Sequence, residues 1–418
     1  MNTQSIRTTP LNSLPSKNWL QSQLEKRFVA ILGNLSEGCL SLTLPCGKHL
    51  EFNHSVLITA DLTIHDYRFY QRVLFSGGIG LGEAMMNDWW SSSNPTAVLR
   101  FFAKNQADLD LYQRRFKWLL KPYHNLKHRF NRNSVSQSKK NISAHYDLGN
   151  DLYRNFLDNT MSYSSGLFDH PDYTLEEAQY AKIDRLLDQL DLTADDHLLE
   201  IGTGWGALAI RAAQRSGCRV TTTTLSEEQL HYATEQVRAA GLSDRITLLL
   251  KDYRHLEGQY DKIVSVEMIE AVGREYLPTY FETLEQRLKP GGKVALQSIT
   301  IDHQRLQHYQ NNADFIQTYI FPGGFLPSLS LLQQHVAQDT SMEMIDVMDF
   351  GIDYGITIQH WRERFLENLG TIHQHGYDRR FCQLWLFYFA YCEAGFMEKK
   401  ISVLHCTMQK PENPASSE

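Results

Sequence analysis

The sequence predicts an α/β chain organised around a doubly wound, mostly parallel sheet, with a smaller α+β domain ahead of it. Three observations carry this. From Thr174 onward, short apolar strands alternate with amphipathic helices. The first of these strands runs into a glycine-rich turn, Glu200-Ile-Gly202-Thr-Gly204-Trp-Gly206, that opens a helix. A late pair of strand-like segments, Met342 to Met348 and Ile401 to Met408, flanks a long helical stretch from Ile358 to Lys399.

The elements follow in order. Gly38 to Pro45 alternates polar and apolar residues as a half-buried strand does, and His49 to Asn53 reads the same way. Phe75 to Gly82 holds four glycines and reads as a flexible turn, with a helix from Glu83 to Trp90 behind it. Thr174-x-x-Glu177 is a capping box that starts a helix, and Ile183, Leu186, Leu187 and Leu190 mark one face of it. Strands are predicted at His197 to Gly202, Arg219 to Thr224, Ile246 to Leu250 and Lys262 to Val266. Helices are predicted at Ala207 to Arg215 and Ser226 to Ala240. Lys289-Pro-Gly-Gly292 is a turn that launches a strand from Lys293 to Thr300.

A chain of 418 residues exceeds one ordinary domain. The boundaries fall at 1–112 for an N-terminal domain, 113–141 for a basic linker, 142–410 for the sheet domain and 411–418 for a disordered tail. The six cysteines include no C-x-x-C pair, which speaks against zinc and against a redox dithiol, and no metal is expected. A reducing compartment follows, and the polar stretch Met1 to Asn18 has no apolar segment of a secretory signal. The longest apolar run, Leu384 to Cys392, is less than half the roughly 20 residues of a spanning helix. The expected location is therefore cytoplasmic, with peripheral association at the inner face of a membrane.

That association rests on charge. The net charge is −7, yet nine cations and no acid lie between Arg114 and Lys140, interleaved with Phe116, Trp118, Tyr123 and Phe130. Cations with aromatic rings suit an anionic lipid surface, and a solvated linker is the plain alternative. Nucleic acid is not expected, because the rest of the chain is acidic and has no second basic stretch.

The spacing Gly202-x-Gly204-x-Gly206, with Glu200 two residues before it, differs from the dinucleotide pattern G-x-G-x-x-G. It matches the class I methyltransferase turn, where S-adenosylmethionine lies at the carboxyl edge of the sheet. The second strand ends without an acid, so Thr224 and Gln229 are candidates for the ribose or base. Ser226-x-x-Gln229 is equally a capping box. Tyr163 and Ser164 before the sheet, and Asp252 and Tyr253 after the third strand, complete the cofactor candidates.

Six segments then share one pattern. They are His145 to Asp151, Met161-Ser-Tyr-Ser-Ser165, Glu200 to Gly206, Val266-Glu-Met-Ile-Glu-Ala-Val-Gly273, Tyr319 to Pro327 and Phe350-Gly-Ile-Asp-Tyr354. In this order the chain resembles the cyclopropane-fatty-acyl-phospholipid synthases, a family with mycolic-acid cyclopropane synthase and fatty-acid methyltransferase relatives. The resemblance spans about Trp19 to Lys410. It implies a lipid-handling N-terminal domain at 1–112, a seven-stranded methyltransferase sheet, frequent dimers, and transfer of a methylene from S-adenosylmethionine to the cis double bond of phospholipid acyl chains.

An alkene is a weak nucleophile and needs a sulfonium methyl as its electrophile. Attack leaves a carbocation, and ring closure removes a proton from the transferred methyl. The resemblance implies bicarbonate as the base, held by a Cys, a Glu, a His, a backbone group and a Tyr. Carried over by motif, these positions are Ser165, Glu270, Gln297, Ile299 and Tyr354. Ser165 and Gln297 depart from the family's Cys and His, which keeps hydrogen bonding but removes both groups that titrate near neutrality. The departures open a rival outcome, a methyl or methylene branch without a ring. Glu267 competes with Glu270 for any acid role, being three residues away. Two further readings are a small-amine N-methyltransferase, against which the N-terminal domain and basic stretch speak, and a non-catalytic lipid-transfer protein, against which the glycine turn speaks.

Overall fold

The computed structural model describes residues 17–55, 58–114 and 149–412. The chain divides into two compact units, 1–119 and 120–418. Residues 115–141 of the basic linker, much of the His145 to Asp151 segment and the end of the tail lie outside the described residues.

The first unit is α+β. Its longer elements are α1 (Trp19–Leu32), β1 (Cys39–Thr43), β2 (His49–Asn53), β3 (Thr59–Ile64), α2 (Arg68–Met86), β4 (Trp90–Ser91), α3 (Pro95–Lys104) and α4 (Gln106–Arg114). The strand order is β2-β1-β3-β4, with β1 and β3 parallel. Leu40, Leu42, Leu62 and Ile64 alternate into the core, as the period of two requires. The expected turn at Phe75 to Gly82 is instead part of α2. Gly77 takes φ +53° and kinks the helix, and a Cβ on Gly80 would lie 2.2 Å from the Arg72 carbonyl oxygen. Gly77 thus interrupts the helix through its positive φ, while Gly80 serves close packing. The helix expected through Trp90 ends earlier, at Met86, and Trp90 pairs in β4 against Ile64.

The second unit carries α5 (Leu175–Leu190), β5 (His197–Ile201), α6 (Ala207–Ser216), β6 (Arg219–Thr224), α7 (Glu227–Ala239), β7 (Ile246–Leu250), β8 (Tyr260–Val266), α8 (Leu277–Arg287) and β9 (Leu288–Ile301). Then follow α9 (His303–Asn311), α10 (Leu329–Asp339), β10 (Glu343–Asp349), α11 (Gly351–Glu367), α12 (Arg379–Met397) and β11 (Ile401–Gln409). The sheet order is β10-β11-β9-β8-β5-β6-β7. Strands β5 to β9 are mutually parallel, and β11 runs antiparallel to both β9 and β10. This is the expected seven-stranded, mostly parallel sheet.

Its central strands are buried on both faces. Leu198, Val264 and Ala295 pack with Ile183, Leu186 and Leu187 of α5. Leu199, Ile263, Val294 and Leu296 pack on the other face with Leu277, Phe281 and Leu284 of α8. The predicted capping box forms: the Thr174 hydroxyl accepts from the Glu177 N–H, and the Glu177 carboxylate accepts from the Thr174 N–H. Such caps stabilise a helix by about 1 kcal/mol. The expected turn at Lys289 to Gly292 is absorbed into β9 as an irregularity in its pairing with β8.

From β5 the chain proceeds to β6 and β7 on one side and returns to β8 and β9 on the other. That reversal opens a crevice at the carboxyl ends of β5 and β8. The glycine turn and the Glu267–Glu270 segment stand there.

Candidate active site

The glycine turn follows directly from β5. Gly202, Gly204 and Gly206 all have positive φ, at +104°, +51° and +96°. A Cβ on Gly204 would meet nothing within 4 Å, so open space lies above the turn. Beneath it, the Glu200 carboxylate accepts from the Thr222 hydroxyl at 2.6 Å. Burial pushes Glu200 up to about 8, opposed by that hydrogen bond and by Lys182.

The remaining cofactor candidates separate into two groups. Thr224 donates to the Gln229 carboxamide oxygen at 2.8 Å, and the Gln229 N–H donates to the Ser226 hydroxyl. Gln229 therefore joins the helix cap by its backbone while its side chain reaches Thr224. Tyr163 shares a 2.8 Å hydroxyl contact with Tyr388, and its ring lies 5.2 Å from Trp361 and 5.4 Å from Tyr153. Ser164 accepts from the buried Lys182 ammonium at 2.7 Å. Burial brings Lys182 down to about 8, against the pull of Glu267, Asp158 and Glu200. Asp252 and Tyr253 are engaged elsewhere. Burial works to raise Asp252, but a two-pronged bond from Arg254 outweighs it and holds the carboxyl below its usual range. The Tyr253 ring packs into the core against Tyr280 at 5.5 Å.

All five positions carried over for bicarbonate converge at the β8 end, but their donors already have partners. Ser165 uses its hydroxyl on the Gly166 carbonyl at 2.8 Å and its N–H on Glu267 at 2.9 Å. The Gln297 amide donates to Glu267 at 2.7 Å, and Tyr354 donates to Glu267 at 2.5 Å. The Ile299 N–H donates to Glu270 at 2.5 Å, and Ser298 adds a bond to the same oxygen at 3.1 Å. The donor set as it stands does not fit an added bicarbonate. Burial pushes Glu270 up to about 8, with the Glu267 charge adding to it, and its second oxygen is buried without a partner. Glu267 is raised by burial against its three donors. Tyr354 is driven well above its ordinary range by burial and by Glu267, and its ring stacks on Phe396 at 4.5 Å.

Two residues enlarge this cluster. Glu267 appears in the sequence reading only as a competitor of Glu270, yet its carboxylate is the hub. His405 does not appear there at all. It sits on β11 opposite Gln297 and donates from Nε2 to the Gln297 carboxamide oxygen at 2.8 Å. Burial lowers His405 well below its usual value, so the ring is neutral. The acceptor-only oxygen facing Nε2 sets the tautomer. A histidine on β11 has no local signal, because antiparallel pairing with β9 alone brings it to Gln297.

Residues 133–406 match the family described as mycolic acid cyclopropane synthetase. The chain belongs to that family. It is 41% identical over 351 residues to the tuberculostearic acid methyltransferase of Mycobacterium tuberculosis, covering 82% of each chain. It is 36% identical over 355 residues to the cyclopropane-fatty-acyl-phospholipid synthase of Escherichia coli, covering 82% of this chain and 86% of that one. A solved mycolic acid cyclopropane synthase, complexed with SAH and CTAB, aligns with a TM-score of 0.62 at 31% identity, covering 65% of this chain and 98% of that one.

The protein is thus an S-adenosylmethionine-dependent methyltransferase of the cyclopropane-fatty-acyl-phospholipid synthase type, in a family that acts on lipids. The open space over Gly204 fits the cofactor, and Gly202, Gly204 and Gly206 would let the backbone approach it. Bound there, S-adenosylmethionine supplies an electrophilic methyl. Among the described residues, no helix is long and apolar enough to cross a membrane.

Proposed function

We propose that the protein transfers a methyl group from S-adenosylmethionine to the double bond of an unsaturated phospholipid acyl chain and leaves a methyl-derived branch. The observation that carries the chemistry is a pair of half-buried carboxylates, Glu267 and Glu270, beside a continuous set of aromatic rings. Tyr354 lies 6.0 Å from Trp361, which lies 5.2 Å from Tyr163. Aromatic faces stabilise a carbocation, and an acid pair beside them accepts the proton it sheds. The branch is favoured by the higher identity to a methyltransferase than to the E. coli synthase, and by the departures at Ser165 and Gln297.

Cyclopropane formation is the second reading. The E. coli relative and the solved synthase favour it, and both outcomes remove a proton from the same methyl group. Methyl-labelled cofactor and a monounsaturated phospholipid distinguish them. Mass spectrometry and proton NMR of the lipid are expected to show a branch. Ring protons instead select the second reading, and unlabelled lipid overturns both.

The substrate is met at a membrane surface through the basic segment 114–140. Each cation near an anionic surface contributes about 1 kcal/mol, screened over roughly 8 Å at physiological salt. Replacing Arg114, Arg115, Lys117 and Lys121 by Gln is expected to weaken sedimentation with anionic vesicles while turnover of detergent-dispersed lipid persists. Equal vesicle binding would return the segment to a plain linker.

A further inference from the structure

Glu267 accepts hydrogen bonds from Ser165, Gln297 and Tyr354. These are three of the five groups that the family resemblance assigns to an exogenous anion. The other two, Ile299 and Glu270, are bonded to each other. An oxyanion entering this donor set would compete with the Glu267 carboxylate for the same donors and place a second negative charge against it, which like-charge repulsion opposes. Glu267 is also held by its backbone: its N–H donates to the Gln297 carbonyl at 2.9 Å, and its φ is +49°. That conformation costs an L-residue about 1–2 kcal/mol. Such strain persists where surrounding contacts over-determine it.

We propose that the Glu267 carboxylate is this protein's built-in replacement for bicarbonate and accepts the proton released by the transferred methyl. The inference rests on the methyl-transfer reading above. In the step, a C–H bond of the transferred methyl breaks. Its electron pair goes to the cationic acyl chain, either directly as a ring bond or, after a hydride shift, as a methylene double bond. The proton goes to Glu267 Oε2. Oε1 already accepts two hydrogen bonds and Oε2 one, so Oε2 retains a lone pair. Three donors hold the charge on Glu267, while the second Glu270 oxygen has no partner, so the pair's one proton is assigned to Glu270. His405 turns the Gln297 amide so that its NH2 faces Glu267.

The test uses the whole protein and two variants. Glu267→Gly accepts the positive φ without strain and keeps the fold, whereas Glu267→Gln keeps the shape and removes the charge. Bicarbonate is titrated calorimetrically into protein loaded with S-adenosylhomocysteine. Wild type is expected to bind none, and Glu267→Gly to bind it saturably. In carbon-dioxide-free buffer, wild-type turnover is expected to be insensitive to added bicarbonate. Glu267→Gln should lose about 100-fold or more, and Glu267→Gly should lose as much and recover about tenfold with bicarbonate. Bicarbonate binding to wild type, none to Glu267→Gly, or wild-type turnover by Glu267→Gln overturns the proposal. If wild type labels no lipid, the functional reading falls, and the titration still decides what occupies the donor set.

Discussion

The two segments that face the crevice are built on opposite plans. The turn after β5 offers backbone and open space: three glycines at positive φ, and nothing within 4 Å of a Cβ on Gly204. The segment after β8 offers side chains with almost no freedom. Glu267 there is non-glycine at positive φ, and its carboxylate is tied to three donors. A site that exchanges cofactor for product must leave room, because occupancy by protein atoms competes with the ligand. A group that meets a short-lived cation must be held before the cation forms, since reorganisation is slower than the cation's collapse.

If the plans differ in this way, substitutions should separate binding from turnover. The largest effect is expected at Gly204→Val. A β-branched residue at φ +51° strains the turn and fills the open cradle, so cofactor affinity should fall about 100-fold or more by calorimetry. The protein itself offers no clash at that position, so the fold should persist by circular dichroism. Unchanged affinity would erase the contrast between the two segments.

Tyr354→Phe should do the converse. It removes one charge-assisted hydrogen bond from Glu267, a loss of about 1.5–3 kcal/mol, hence about 10- to 100-fold in turnover. Cofactor affinity should be unchanged. A variant that loses affinity and keeps turnover would place Tyr354 with the cofactor instead.

Glu270→Gln sharpens the comparison through pH. The native Glu270 holds its proton up to about 8, against 4.5 for the unfolded group. Across that window the native state binds the extra proton, so this group's contribution to stability declines as pH rises. The variant should show a shallower fall of Tm between these limits, with Glu200 still contributing a slope of the same sign. An identical slope in both proteins would mean that Glu270 is not the proton holder.

The smallest effect is expected at His405→Leu. It leaves the Gln297 carboxamide oxygen buried without its donor, which costs about 1–3 kcal/mol of stability. Turnover should drop by only about threefold, because the Gln297 amide still reaches Glu267. A loss as large as that of Tyr354→Phe would make His405 part of the proton path and not a positioning residue.

Much of the second unit was legible before any coordinates. Arg219–Thr224 and Ile246–Leu250 are strands at the predicted bounds, and the Thr174 capping box forms as written. These features depend on neighbours within a turn or on a period of two, both visible along the chain. The glycine turn belongs with them, since positive φ is a local demand. The segment Phe75 to Gly82 misled because glycine also serves close packing inside a helix, and only the neighbouring turn distinguishes the two uses.

The acid cluster lies on the other side of that line. The residues that bond the Glu267 carboxylate are 102, 30 and 87 positions away, and His405 is 108 positions from Gln297. The chain shows two carboxylates three residues apart, and the family resemblance picks Glu270, with Glu267 only as its competitor. The preference for Glu267 arises from β8 pairing with β9, β9 with β11, and α11 bringing Tyr354 to the strand ends. Glycines, caps and alternation are properties of the covalent neighbourhood and were readable from it. Which carboxylate gathers three donors, and which is left to hold a proton, depends on distances through space that no spacing along the sequence encodes.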